Sequence, residues 1–185
     1  MLLKMNIWLL AGYAGSGKTT AGKILQSILP SSKILAFADK VKDFVSQKYQ
    51  IDRNLCDTQE GKKSILGEKT LRQHLIDYSA SHKVETKNQA IWATYIYTEM
   101  LKFPHIENWI LHDWRYIEEY DFLRSIQGTI HTIRILNPSI DPLQDASEHQ
   151  LDTFPTDSIV MNDGGIDILE RNIRSIIHED HTLVS

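Results

Sequence analysis

The chain has one cysteine, Cys56, in 185 residues. A single thiol excludes an internal disulfide and any cysteine-rich zinc site, and it makes a reducing cytoplasm the expected compartment. Positive charge is in deficit: 20 Lys and Arg stand against 24 Asp and Glu, for a net charge of −4, and no basic run occurs. Polymeric nucleic acid is therefore not an expected partner, because affinity for a phosphate backbone needs a basic surface. No window of about 18 apolar residues is present, so no membrane span is expected. Also missing are the G-x-S-x-G nucleophile elbow of serine hydrolases and an N-K-x-D guanine-reading segment.

What is present suits one domain over residues 1–185, since 42% hydrophobic content in this length can build one sizeable core. Short apolar runs alternate with helical patterns. Strands are expected at Asn6–Leu10, Lys33–Phe37, Asn108–His112, Thr129–Leu136 and Ser158–Met161. Helices are expected at Lys18–Leu29, Lys40–Tyr49, Leu71–Ser81, Gln89–Lys102, Tyr116–Gln127 and Ile166–His178. Their core faces carry the helical period: Val41, Phe44, Val45 and Tyr49; Trp92, Tyr95, Ile96 and Met100; Ile166, Leu169, Ile173 and Ile177. Thr70-x-x-Gln73 and Ser147-x-x-Gln150 have capping-box spacing. Such alternation implies an α/β fold, with a mainly parallel five-stranded sheet and helices on both faces. Ligands then bind beyond the carboxyl ends of the strands. Two long polar segments, about 51–69 on the acceptor side and about 137–157, are expected to be mobile or functional. The run His178-Glu179-Asp180-His181 reads as a solvent-exposed tail.

Met1–Ala14 imitates a signal peptide, with Lys4 followed by an apolar stretch. That stretch runs straight into Gly12-Tyr13-Ala14-Gly15-Ser16-Gly17-Lys18-Thr19, so it reads as the first buried strand. The eight residues are a complete G-x-x-x-x-G-K-[ST] phosphate-binding loop in the required strand–loop–helix setting. Glycines let successive backbone N–H groups face one point, and the following helix adds positive partial charge there. Lys18 would reach the β- and γ-phosphates of a nucleotide, and the Thr19 hydroxyl would sit on Mg²⁺.

Other residues fall at the same end of the sheet, each with two readings. Asp113 ends an apolar strand, as a second Mg²⁺ contact through water would, or as a helix N-cap. Arg115 would fork onto a phosphate, or pair with Glu118 or Glu119 at the surface. Asp39 lies on the acceptor side or only caps a helix; Lys40 and Lys42 follow it. Arg72 and Lys83 offer cations for an acceptor phosphate. Trp92 and Tyr95 are core residues or stacking platforms for a base.

In order along the chain, these residues resemble the phage and viral deoxynucleoside monophosphate kinases. The resemblance rests on Gly12–Thr19, Phe37-Ala38-Asp39 with Lys42, Thr70-Leu71-Arg72-Gln73, Trp92, Asp113-Trp114-Arg115-Tyr116 with Glu119, Ser147-Glu148 with Leu151-Asp152, and Asp157 to Gly164. It implies a three-layer P-loop NTPase fold and ATP- and Mg²⁺-dependent transfer to the 5′-phosphate of a deoxynucleoside monophosphate. By position, Gly12 to Thr20 would hold ATP, with Arg134 near its phosphates or adenine and Asn162 to Gly164 bordering the adenine. Asp39, Lys42, Arg72, Trp92, Asp113 and Arg115 would line the acceptor side. Transfer itself would rest on Lys18, Arg72, Asp113 and Arg115, and the metal on Thr19 and Asp113. Related kinases often carry arginines in a lid after the fourth strand. Residues 137–157 contain no Lys or Arg but include Asp141, Asp145, Glu148, Asp152 and Asp157. Arg115, Arg72 and Arg134 are then the candidates for the missing cation. A kinase for another small metabolite and a nucleotide-switched binding protein remain alternatives, and a homodimer is neither indicated nor excluded.

Overall fold

The computed structural model describes residues 5–126, 128–141 and 146–182. Its centre is strand β1 (Asn6–Ala11), whose side chains alternate between two cores. Ile7, Leu9 and Ala11 face one side, and Trp8 and Leu10 the other. Burial on both faces is what a central parallel strand requires, and it explains the unbroken apolar run. Around it lie β2 (Ser32–Leu35), β5 (Asn108–Leu111), β6 (Thr129–Leu136) and β7 (Ser158–Met161), in the order β2-β5-β1-β6-β7 with every pairing parallel.

Helices α1 (Lys18–Ile28) and α8 (Ile166–Thr182) cover the Trp8 face through Ala21, Leu25, Leu169 and Ile173. On the Ile7 face lie α2 (Ala38–Tyr49), α4 (Leu71–Glu85), α5 (Ile91–Met100) and α6 (Ile117–Ser125), with Val45, Leu71, Trp92 and Leu123 buried. The result is three layers around one sheet.

Several boundaries differ from expectation for physical reasons. Strand β2 stops at Leu35 rather than Phe37, because the backbone N–H groups of Phe37 and Ala38 donate to the Asp113 carboxylate. Helix α1 ends before Leu29, ahead of Pro30. Thr70 caps α4 by accepting from the Gln73 amide at 3.2 Å, but Ser147 lies inside α7 (Ala146–His149) rather than at its start. Tyr49 and Ile166, expected in the core, are exposed at 36% and 61%. The polar segment 51–69 contains a 3-10 turn (Arg53–Cys56), α3 (Gln59–Lys62) and part of a small hairpin of β3 (Ile65–Leu66) and β4 (Lys69–Thr70). Gln127, Asp145 and the side chains of His178 to His181 lie outside the described residues. Among the described residues no helix is long and apolar enough to cross a membrane.

Candidate active site

The loop between β1 and α1 sits beyond the carboxyl end of the central strand. Gly12, Gly15 and Gly17 have φ of 139°, 84° and 105°, values that L side chains rarely adopt. A β-carbon on Gly12 would collide with the Ile135 carbonyl, and one on Gly17 with the Asn162 side chain. The motif glycines are thus required by conformation and by space together.

Lys18 curls back over this loop and donates to the carbonyls of Gly12 and Tyr13 at 2.6 and 2.7 Å. Burial and the neighbouring Arg115 charge lower its pKa from 10.5 to about 8, against the opposing pull of Glu148 and Asp113. A phosphate arriving here would reverse that shift and hold the ammonium charged.

The acidic segment after β6 folds onto the loop. Glu148, its side chain only 1% exposed, accepts from the Ala14 N–H at 2.7 Å through one carboxylate oxygen and from Arg115 through the other. The Tyr13 hydroxyl donates to Asp152 at 3.1 Å, and Arg134 donates to the carbonyls of Leu151 and Phe154. Asp157 instead fastens β6, accepting from the Thr132 N–H and hydroxyl, both at 2.7 Å.

Two cavities meet at this point, with Arg115, Ser147 and Glu148 lining both. The first, about 210 Å³, is walled by Gly12, Tyr13, Arg134 and the acidic segment. The second, about 220 Å³, brings Lys42, Lys62, Arg72 and Arg115 against an apolar wall of Val41, Leu75, Ile76 and Trp92. The cations crowd one another: burial, then the charges of Lys42 and Arg72, push the Lys62 pKa down. Lys42 is held the other way, because its hydrogen bond to Asp57 and the Asp39 charge outweigh its burial.

The structure brings most expected residues together. Asp113 is not the N-cap of the helix that follows it but accepts from the Phe37 and Ala38 N–H groups at the start of α2, at 2.8 and 2.9 Å, while it also borders the second cavity. Arg115 pairs with Glu148 rather than with Glu118 or Glu119. Glu119 is buried and accepts from the backbone N–H groups of Arg115 and Tyr116, which fixes the β5–α6 turn. Trp92 is both core and cavity wall. Asp39 stays outside the cavity lining, bonded to Lys42 and Arg53. Asn162 touches the loop through its side chain, donating to the Ser16 carbonyl at 2.8 Å. Gly164 packs against Ile168.

Two participants escaped the sequence reading. Lys62 carried no local signal within a polar segment. Glu148 was counted among five acids and quoted with Ser147 in the resemblance, but was given no role, although it reaches the loop across 134 residues of chain.

The loop fits a polyphosphate: its glycines form the nest, and a carboxylate already occupies one of its amides. For Mg²⁺, Thr19 is exposed on the first turn of α1. No three His, Cys, Asp or Glu side chains gather at a metal-binding distance among the described residues. Mg²⁺ keeps several waters and leans on substrate phosphates, a mode in which a single hydroxyl such as that of Thr19 could serve.

No protein-family model matches the chain, and no curated protein matches it. Solved structures do. TT1252 from Thermus thermophilus shares 16% identity at a TM-score of 0.52, over 95% of this chain and 97% of that one. Dephospho-CoA kinase from Campylobacter jejuni shares 14% at 0.52, over 98% and 100%. The fold is that of the P-loop NTPases. Identities this low establish the shared architecture, and the chemistry rests on the site.

Proposed function

We propose that the protein is an ATP- and Mg²⁺-dependent kinase whose acceptor is itself a phosphorylated small molecule, a deoxynucleoside monophosphate. The observation that carries this reading is the second cavity, where Lys42, Lys62, Arg72 and Arg115 converge beside the phosphate loop. Lys42 and Arg115 are already met by carboxylates, but Lys62 and Arg72 add positive charge that an acceptor phosphate would balance, and the adjoining wall of Val41, Leu75, Ile76 and Trp92 suits the flat apolar faces of a base. The dephospho-CoA kinase relative supports a kinase with a small-metabolite acceptor. The choice of a deoxynucleoside monophosphate rests on the motif resemblance.

Bound Mg-ATP would supply the transferable phosphoryl group and neutralise part of its charge. This chain's contribution is positioning and counter-charge. The loop amides and Lys18 would hold the donor phosphates, and Thr19 with Asp113 would hold the metal. Arg72, Lys42 and Lys62 draw in the acceptor phosphate. Arg115, at the meeting of the two cavities, steadies the group in flight. An acceptor phosphate is already nucleophilic near neutral pH, so no strong general base is needed.

The test is ADP formation from Mg-ATP against deoxy- and ribonucleoside monophosphates, with Lys18→Ala as control. Stimulation by one or more deoxynucleotides, absent in the control, is the expected result. Tight ATP binding without stimulation by any monophosphate would reject this acceptor class.

A further inference from the structure

The Glu148 carboxylate is a buried anion at the junction of the two cavities, on groups suited to phosphate. One oxygen accepts from the Ala14 N–H within the phosphate loop, and the other from Arg115. Lys18 lies close enough for the Glu148 charge to raise its pKa. A carboxylate and a phosphate oxygen compete for the same donors, and two anions side by side on one amide and one guanidinium repel.

We propose that Glu148 is an internal competitor for phosphate: its carboxylate occupies the loop's anion seat until a ligand phosphate exchanges for it and releases α7. The seat then binds only ligands whose negative charge exceeds what one carboxylate provides, such as pyrophosphoryl groups. Exchange also frees Arg115, tying its availability to an occupied loop. Tyr13–Asp152 and Arg134 with the Leu151 and Phe154 carbonyls retain the far end of the segment, so the movement is confined to the neighbourhood of α7. The inference rests on the phosphate-binding part of the proposed function, but not on the identity of the acceptor.

Inorganic pyrophosphate with Mg²⁺ is the probe, since it carries no base or sugar. Calorimetric titration of the intact protein and of Glu148→Gln compares affinities without turnover. Removing the competing charge should tighten pyrophosphate binding about ten-fold, the scale of one charged contact. Less than a three-fold gain, or weaker binding, would overturn the proposal. Amide hydrogen exchange on the unmodified protein is a second arm that does not depend on the variant folding. Saturating pyrophosphate should speed exchange across Ser147–Leu151, and unchanged or slower exchange there would overturn the proposal. The kinase reading fails separately, through absent acceptor-stimulated ADP formation while pyrophosphate still binds.

Discussion

The Asn162 side-chain amide donates to the Ser16 carbonyl at 2.8 Å and fills the space that a β-carbon on Gly17 would need. The end of β7 and the phosphate loop are therefore fitted to each other across 146 positions of sequence. Gly17→Ala meets two obstacles, the collision with Asn162 and a φ of 105°. It should cost roughly 2–4 kcal/mol, combining backbone strain with overpacking. Asn162→Ala loses one hydrogen bond, worth about 1 kcal/mol. The double variant should be more stable than the sum of the two losses predicts, because removing Asn162 relieves the collision but leaves the strain. Urea unfolding of all four forms measures the coupling.

Lys18 carries a stability cost at the site of its proposed function. Its ammonium, lowered to about 8 from 10.5, is disfavoured in the folded chain because it is buried beside Arg115. The sign follows from proton binding. Below about pH 8 both states hold the proton and the full penalty is present; between 8 and 10.5 the folded state releases it first, so stability rises with pH through that window. Lys18→Met should match or exceed the unmodified protein in unfolding free energy at pH 7, and that advantage should shrink by pH 9.5. Turnover in the same variant should fall on the order of 10²–10⁴-fold. Urea unfolding at the two pH values, with an ADP-formation assay, checks both halves.

Glu119 should leave an opposite mark. Burial, then the Asp113 charge, raises its pKa from 4.5 to about 8, opposed by the Arg115 and Tyr116 N–H groups and by Lys83. Lys83 is itself disfavoured as a cation by burial, and its ammonium lies 3.4 Å from the centre of the Tyr116 ring. A raised carboxyl contributes fully below pH 4.5, and that contribution is lost as pH rises through about 8. Glu119→Gln keeps an oxygen for the two amides and removes the titration. The stability of the unmodified protein relative to this variant should decline steadily from pH 5 to pH 8, as read by denaturant unfolding at half-unit steps.

On the proposed reading, a change at Arg72 should separate acceptor binding from donor binding. It lines the second cavity, and its guanidinium donates to Gln59 at 2.6 Å, so it is held towards that space by α3. Arg72→Ala should raise the KM for the acceptor roughly ten- to a hundred-fold, the value of one charge-assisted contact. The ATP dissociation constant should stay within about two-fold, because Arg72 does not line the first cavity. Initial rates with varied acceptor, beside ATP titration by calorimetry, distinguish the two effects.

The strand, loop and helix at the start of the chain were legible because three local signals agree there: an apolar run, glycines at the motif spacing and a helical period. Layering was legible for the same reason, as alternating strands and helices admit few arrangements. The contents of the seat were not. Glu148, Lys62 and the Asn162 side chain reach the loop or the cavity through contacts distant in sequence. Their residue types give no sign of it, since an acid in an acidic stretch reads as solvated. Strand β2 and helix α2 were misjudged at one junction for a related reason. Asp113, 75 residues away, takes the Ala38 amide, and no propensity in Phe37-Ala38 records that partner.

At Asp113 the observed contacts to the start of α2 and the proposed metal role meet. Each of its oxygens already accepts one backbone N–H from the start of α2, and each has a second lone pair. A water on the outer lone pairs would reach Mg²⁺ without breaking the cap. Asp113→Asn keeps one acceptor and turns an NH₂ group towards the other backbone N–H. That mismatch should cost about 1–3 kcal/mol in the protein without nucleotide, the penalty for an unsatisfied buried donor. If the same carboxylate steadies the metal's water, the Mg²⁺ concentration for half-maximal ADP formation should also rise by about ten-fold, since a neutral amide orders such a water poorly. Thermal unfolding without ligand and a Mg²⁺ titration of activity read the two effects independently. A destabilised variant with an unchanged Mg²⁺ requirement would confine Asp113 to capping α2 and leave Thr19 as the proposed protein contact to the metal.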